Sequence, residues 1–321
     1  MCYLPTKPRR LEGARTLGET VPRAPLGSGE RWWPRGRHLA QMLSAAGESV
    51  VDVAPKLSAR VRVLSSFAGN ARKNDELDAL ATALAAWRNK RLPTVASEAG
   101  TEVLRLLSER REDLVAERTR GLNRLHGLLR DLVPGGVPGT LSTHRAARIV
   151  RGIRPQGVSA RVRRRLASDI LRDIRTLQRK IADLNERIET EVEASTTSLT
   201  QIFGMGPILA AKIMGTVGNA TRFPTKAHFA SYCGTAPVEV SSGEVVRHRL
   251  SLAGNRGLNN ALHMVAICQA RSDVRGRAYY RKKIAEGKSR KEALRCLKRR
   301  ISDAVFKSLM ADLEGPSCSA A

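Results

Sequence analysis

"ARKNDELDALATALAAWR", residues 71–88, sets Asp75 and Asp78 three apart at the head of a segment whose alanines and leucines recur at helical spacing. The pattern predicts a helix over 73–90, with Pro93 closing the segment. Aspartates at a helix start complement the positive end of its dipole, and that alone accounts for them. A spacing of three also puts both carboxylates on one helix face. With acids from neighbouring strands, such a pair would hold Mg²⁺ ions against a phosphodiester. Both readings stand, and the rest of the chain has to supply the partners.

The text before this helix reads as helix and strand. "RHLAQMLSAAG" places Leu39, Met42, Leu43 and Ala46 on one face, stopped at Gly47. "SVVDVA" follows as a short buried strand ended by Pro55. Helix, strand and helix in this order suggest part of an α/β layer over 30–95. Residues 1–29 are rich in Pro, Gly, Arg and Glu without periodicity, which predicts a disordered or poorly packed segment with no strand pattern.

The 321 residues carry 56 Lys and Arg against 30 Asp and Glu, a formal net charge of +26. A charge of that size speaks of partners rather than of fold, and polyphosphate is the natural one. The chain holds no run of about 18 apolar residues and so no spanning helix. Its start, "MCYLPTKPRRLEGARTL", lacks the apolar core of a signal peptide. Cys2, Cys233, Cys268, Cys296 and Cys318 are scattered without CxxC spacing, as thiols of a reducing cytoplasm are. Aromatics are too few for base stacking on an aromatic sheet. His38, His126, His144, His228 and His263 lack ligand spacing and read as structural or surface groups.

Two long helical stretches follow. Residues 96–132 carry Val103, Leu107, Leu114, Gly121, Leu125, Leu128 and Leu132 on one stripe, broken by "VPGGVPG" at 133–139. Residues 158–194 carry Ile170, Ile174, Leu177, Ile181, Leu184 and Ile188 in alternating steps of four and three, a heptad seam. Joined by the Pro/Gly loop, they predict an antiparallel coiled-coil hairpin over 96–195, within one chain or between protomers, or else two faces of an ordinary bundle.

The C-terminal part, 196–310 with a tail at 311–321, is expected to be helical with one small β-hairpin. "FGMGPILAAKIMGTVG" (203–218) puts Gly204 and Gly206 in a turn before Pro207 opens an apolar helix. Exposed amides at such a start cradle phosphate, as in a helix-hairpin-helix motif, with Lys212 following on that helix; the bland alternative is a plain connection. "VEVSSGEVVRHRL" alternates valines around Ser-Ser-Gly, a hairpin signal. Its Ser241 and Ser242 serve either the turn or, at Ser242, a nucleophile for phosphorus with Arg247, His248, Arg249 and Arg256 nearby to balance charge. No local base is evident. Residues 256–310 are helical and basic, densest at "RKKIAEGKSRKEALRCLKRR".

Taken together, "GRHLAQMLSAAGESVVDVAPKLSARVRV", "ARKNDELDALATALAAWR", "GMGPILAAKIMGTVGNATRFPTKAHFASYCGTAPVEVSSG", "RHRLSLAGNRGLNNALHMVA" and "RAYYRKKIAEGKSRKEALRCLKRR" resemble the DEDD-type insertion-sequence transposases, the "IS one-ten" family of bridge-RNA-guided DNA recombinases. The likeness covers about residues 36 to 310 in order. It implies an RuvC-like (RNase H-type) N-terminal domain, a coiled-coil hairpin for assembly, and a C-terminal domain with a catalytic serine. The overall class is then mainly α with a partial α/β domain. The family's four acids bind Mg²⁺; Asp75 and Asp78 match the last two, and Glu30 stands where the family's glutamate would. Ser242 matches the serine that links covalently to DNA, in a site composed from two protomers. The implied partners are DNA, a guide RNA and further copies in a dimer or tetramer, with no membrane.

One departure is visible: no aspartate precedes Asp52, so the family's first ligand has no counterpart, and Asp52 itself matches no ligand. The expectation is a copy truncated, frame-shifted or started late, with cleavage crippled. The alternative function is a non-catalytic remnant that still binds DNA or guide RNA.

Overall fold

A computed structural model describes residues 2–5, 33–53, 55–65, 75–89, 92–95, 98–139, 141–242, 245–249 and 254–314. All of 6–32, Glu30 included, and the end of the tail lie outside them. The chain divides into two compact units, Met1–Ala99 with Asn219–His228, and Gly100–Gly218 with Phe229–Ala321.

In the first unit the elements run β1 (Cys2–Pro5), α1 (Trp33–Ala45), β2 (Val50–Val53), α2 (Pro55–Ser65) and α3 (Asp75–Arg88). β2 is buried at all four positions, Asp52 included, as suits a strand covered on both faces. On one edge it pairs antiparallel with β1, from Cys2 opposite Val53 to Pro5 opposite Val50. On the other, the Asp52 amide donates to Pro93 O at 2.8 Å and the Val95 amide to Val50 O at 2.8 Å. Val53, Val61, Ala81 and Ala85 form the core beneath, with Leu57 and Leu84 packed on it.

Two expectations are corrected here. Residues 1–29 contribute a strand after all, because β2 has an open ladder edge that even a weakly patterned segment can satisfy. α2 was not anticipated: Pro55 ends the strand and also opens a helix, where its missing N–H costs nothing.

Asp52, on β2, is with Lys298 one of two buried charged side chains among the described residues. Its Oδ2 lies 3.4 Å from the Arg222 guanidinium, and its Oδ1 has no hydrogen-bond partner. Arg222 closes the short 3-10 turn Ala220–Arg222, so this ion pair fastens the segment 219–228 into the first unit. Nearby, the Asn219 amide donates to Glu98 at 3.3 Å. Burial pushes the Asp52 carboxyl above its ordinary range, and Arg222 only partly opposes that.

The second unit contains α4 (Ala99–Leu132), whose first residue belongs to the other unit, then α5 (Thr143–Gly152) and α6 (Gly157–Ala194). α4 and α6 run antiparallel. Asp131 faces Arg163 at 3.8 Å, Gly121 faces Ile174, and Arg111 Nε donates to Asn185 Oδ1 at 2.6 Å, so one index falls as the other rises. The α6 seam is buried through Ile174, Leu177, Ile181, Leu184, Ile188 and Val192. The connection between the long helices is more than a Pro/Gly loop. Ser142 caps α5, accepting from the Arg145 amide, and α5 buries Ala146 and Val150 against Leu125, Leu129, Ala167 and Leu171. On α4 the stripe is shifted from its expected course: Val103 is exposed while Leu104 and Leu129 are buried. A helix period of 3.6 drifts from a strict seven-residue reading over so long a segment.

Beyond α6 come a 3-10 turn (Ser198–Gln201), α7 (Pro207–Val217), α8 (Lys226–Tyr232), β3 (Val238–Ser242), β4 (Val245–Arg249), α9 (Arg256–Arg271), α10 (Arg275–Ala285) and α11 (Arg290–Glu314). β3 and β4 pair antiparallel, Ser242 opposite Val245 and Val238 opposite Arg249. α11 opens on a capping box in which Ser289 and Glu292 bond reciprocally, and it runs past the expected boundary at 310. α7 lies almost against the α4 backbone: a Cβ on Gly215 would sit 2.6 Å from Arg105 Cα.

Gly215→Ala is therefore expected to destabilise the second unit by about 2 kcal/mol or more, since backbone rather than a flexible side chain must give way; urea unfolding measures this. Arg222→Met tests the buried pair. With Asp52 raised, its contribution is full below the ordinary carboxylate pKa and is lost as pH rises through the folded value. Removing Arg222 strands the carboxylate, so the variant should lose about 3 kcal/mol at pH 7 and regain part of it towards pH 4 as Asp52 protonates. A deficit independent of pH in parallel urea titrations would refute this.

Candidate functional site

α3 begins at Asp75, so both aspartates fall in its first turn, where they face the positive end of the helix dipole. Asp75 is exposed. Asp78 is half-buried and ion-paired with Arg62 of α2, while its backbone carbonyl accepts from the buried Thr82 hydroxyl at 2.7 Å. Arg62 is the residue that the sequence did not signal, because α2 was not foreseen. Asp75 and Asp78 share a face as their spacing requires, and nothing among the described residues supplies a third acid: no group of three or more His, Cys, Asp or Glu side chains comes together. Glu30 lies outside the described residues. Two carboxylates still fit a Mg²⁺ ion as part of its shell, since that ion keeps several waters and takes phosphate oxygens for the rest.

In the second unit the Gly-Met-Gly-Pro turn takes the form that its glycines allow. Gly204 has φ +85°, and a Cβ there would press on Cys268 of α9 at 3.0 Å. Gly206 is the N-cap of α7 and Pro207 its first residue. The element before this turn is a single 3-10 turn rather than a full helix, so half of the expected helix-hairpin-helix is shortened. Lys212 does not stand free on α7. It pairs with Glu112 of α4, which fixes α7 to the long helix; in the turn, the Met205 amide donates to Ile202 O at 2.9 Å.

Ser242 is the last residue of β3, and Arg247 and Arg249 lie on β4. Arg256 is exposed at the first position of α9, directly after the N-cap Asn255, whose side chain accepts from the Leu258 amide at 3.0 Å. α10 and α11 likewise open on exposed arginines, Arg275 and Arg290. Cations at a helix start oppose the dipole. Three arginines so placed make sense where an anion neutralises them, the Leu258 and Glu292 amides being already taken by the Asn255 and Ser289 side chains. Along α10 and α11, Arg281, Lys282, Lys288, Arg290 and Lys291 are exposed, and Arg300 and Lys283 stack on Tyr279 at 5.7 and 5.5 Å.

Among the described residues, Cys233, His126 and His263 sit in packed surroundings, while His144 and His228 are exposed. Burial pushes Cys233 up to about 12, well out of the nucleophilic range. His126 Nε2 lies 3.1 Å from Val137 O, and His263 is held below its ordinary pKa by burial and then by Lys298. Among the described residues no helix is long and apolar enough to cross a membrane.

Comparison with known proteins matches two parts of the chain. Residues 196–281 match the model of the Transposase IS116/IS110/IS902 family, and residues 33–134 that of the DEDD transposases of IS110 type. A Streptomyces coelicolor protein named "Insertion element IS110 uncharacterized 43.6 kDa protein" is 30% identical over 240 residues, 60% of this chain and 59% of the relative. A "Probable family 20 transposase" of Pseudomonas aeruginosa is 27% identical over 216 residues, 64% of this chain and 63% of the relative. The "Insertion element IS116 uncharacterized 44.8 kDa protein" of Streptomyces clavuligerus is 26% identical over 319 residues, 84% of this chain and 79% of the relative. The matched part spans about three fifths of the length of the first two. Two family segments in order on one strongly basic chain, with relatives of the same kind, carry the conclusion that this chain belongs to the IS110 family of DEDD transposases.

Proposed function

We propose that the chain acts as the transposase of an insertion sequence, a DNA recombinase whose nucleophile is Ser242. The observation that carries this reading is the pair of family segments: the acidic turn of α3 falls in 33–134, and the strand ending at Ser242 falls in 196–281. In the reaction the Ser242 hydroxyl oxygen bonds to phosphorus, the bond to the departing strand's oxygen breaks, and the serine proton passes to solvent or a base. Asp75 and Asp78 would hold Mg²⁺, which supplies charge neutralisation at the phosphate when bound. The Gly204–Gly206 turn at the start of α7, with Arg247, Arg249 and Arg256, holds backbone phosphates. Domains at 30–95, 96–195 and 196–310, the first RuvC-like, a homo-oligomer formed through the long helices and a guide RNA that reads sequence belong to the same proposal.

One observation favours a second reading. Asp78 is occupied by Arg62, and no third acid is found among the described residues, as suits a non-catalytic DNA- or RNA-binding remnant.

The experiment that separates them looks for a covalent protein–DNA adduct in Mg²⁺. A recombinase forms one that is lost in Ser242→Ala; a remnant forms none, and shows only binding that falls steeply with salt. Asp78→Asn should abolish Mg²⁺ binding in calorimetry while helix content holds and stability changes by less than about 1 kcal/mol, since the Arg62 pair is part-exposed. Equal loss of helix would assign the residue to capping alone.

A further inference from the structure

The strands β3 and β4 leave the body of the second unit and return to it through a narrow neck. Gly234 and Gly254 meet there so closely that a Cβ on Gly254 would lie 2.2 Å from Gly234 Cα. Gly234 itself has φ +66°. The Asn255 amide donates to Tyr232 O at 2.7 Å, and the Thr235 and Ala236 amides both donate to Ala230 O, at 2.8 and 3.1 Å. The outgoing and returning chains are thus bonded to each other before the strands begin.

Two side chains complete the neck. Asn259 of α9 donates through Nδ2 to Cys233 O at 3.0 Å and to Gly234 O at 2.9 Å. Its Oδ1 accepts from Lys298 Nζ of α11 at 2.5 Å. The chemistry fixes the direction of this amide. A lysine ammonium offers only donors and a carbonyl only acceptors, so Asn259 must turn its oxygen to Lys298 and its nitrogen to the neck. A flipped amide would aim oxygen at two carbonyl oxygens.

Lys298 is an expensive residue for that position. It is 6% exposed. Burial, and then Arg295, lowers its pKa, and no carboxylate compensates it among the described residues. A methionine of similar length would fill the same space without a buried charge, and packing alone gives no reason for the ammonium.

We propose that Lys298 and Asn259 are positioning residues for Ser242: they lock the amide that holds both neck carbonyls and so set the direction in which the serine-bearing strand pair leaves the body. The inference rests on the reading of Ser242 as nucleophile for its link to catalysis, but the neck itself is testable without it. Neither residue is a DNA contact.

The full-length protein is compared with Lys298→Met, Asn259→Asp and the double variant. Hydrogen exchange of residues 238–249, urea unfolding, DNA affinity and the rate of covalent adduct formation in Mg²⁺ are read for each. In Lys298→Met the unfolding midpoint should hold or rise, because a buried charge is removed. Exchange of the 238–249 amides should quicken about tenfold or more, and adduct formation should slow about tenfold or more with DNA affinity changed less than about threefold. Asn259→Asp keeps a partner for Lys298 but turns a carboxylate oxygen on the neck carbonyls, so it should loosen the strand pair in the same way. The double variant should be no worse than the more severe single, as for two members of one network. Unchanged exchange at 238–249 in both single variants overturns the proposal. So does a general loss of protection and stability across the second unit, which is the signature of a merely structural contact. An adduct that survives in Ser242→Ala overturns the serine reading instead, and leaves the exchange data to decide the neck.

Discussion

The larger unit depends on one stripe of burial, the seam of α6 from Ala167 to Val192 against α4 and its neighbours. Long helices dense in arginine repel one another, and a continuous apolar face is what holds them antiparallel. Ile174 is fully buried, and Gly121 of α4 is small enough to let it in; a Cβ there would sit 3.1 Å from it. Once this pair is set, α5 closes one end of it, and α7 lands on α4 at Gly215, where only a hydrogen fits.

Electrostatics then sorts the cations. Glu112 takes Lys212 across from α4 to α7, whereas Glu102 and Glu109 take Arg105, and Asp303 takes Arg299, along their own helices. The uncompensated charge is left at helix starts and on the outer faces of α10 and α11, where Arg256, Arg275, Arg281 and Arg290 are exposed. Phosphate is the ligand such a distribution suits, because clustered cations gain most by displacing its counterions. In the smaller unit the balance differs: Asp52 is buried on β2 and held by Arg222 from far along the chain, which joins distant sequence into one unit.

The acidic turn and the serine strand illustrate two kinds of placement. Asp75 and Asp78 ride on a regular helix, and their relation follows from a spacing of three. Ser242 ends a strand whose direction depends on a neck of two glycines, an asparagine and a buried lysine. The first geometry is local, and the second joins Gly234, Asn259 and Lys298, residues far apart in the chain.

What could be read in the residues was the local and periodic part: the helix over 73–90, the strand at Val50–Val53, the two long helices, the turn at Gly204 and the alternating valines around Ser242. Each rests on an unbroken run of one period or on a glycine or proline with a single conformational use. The tertiary structure alone decided the rest. α2 is weakly patterned and α5 is a helix of only ten residues, and both form where neighbouring elements offer them a face to bury. Cys2–Pro5 becomes a strand because β2 has an edge to fill. Arg62 on Asp78, Glu112 on Lys212 and Lys298 on Asn259 are meetings of side chains that sequence spacing does not encode. Periodicity says which face of an element is apolar; which polar group waits opposite it is set only when the elements pack.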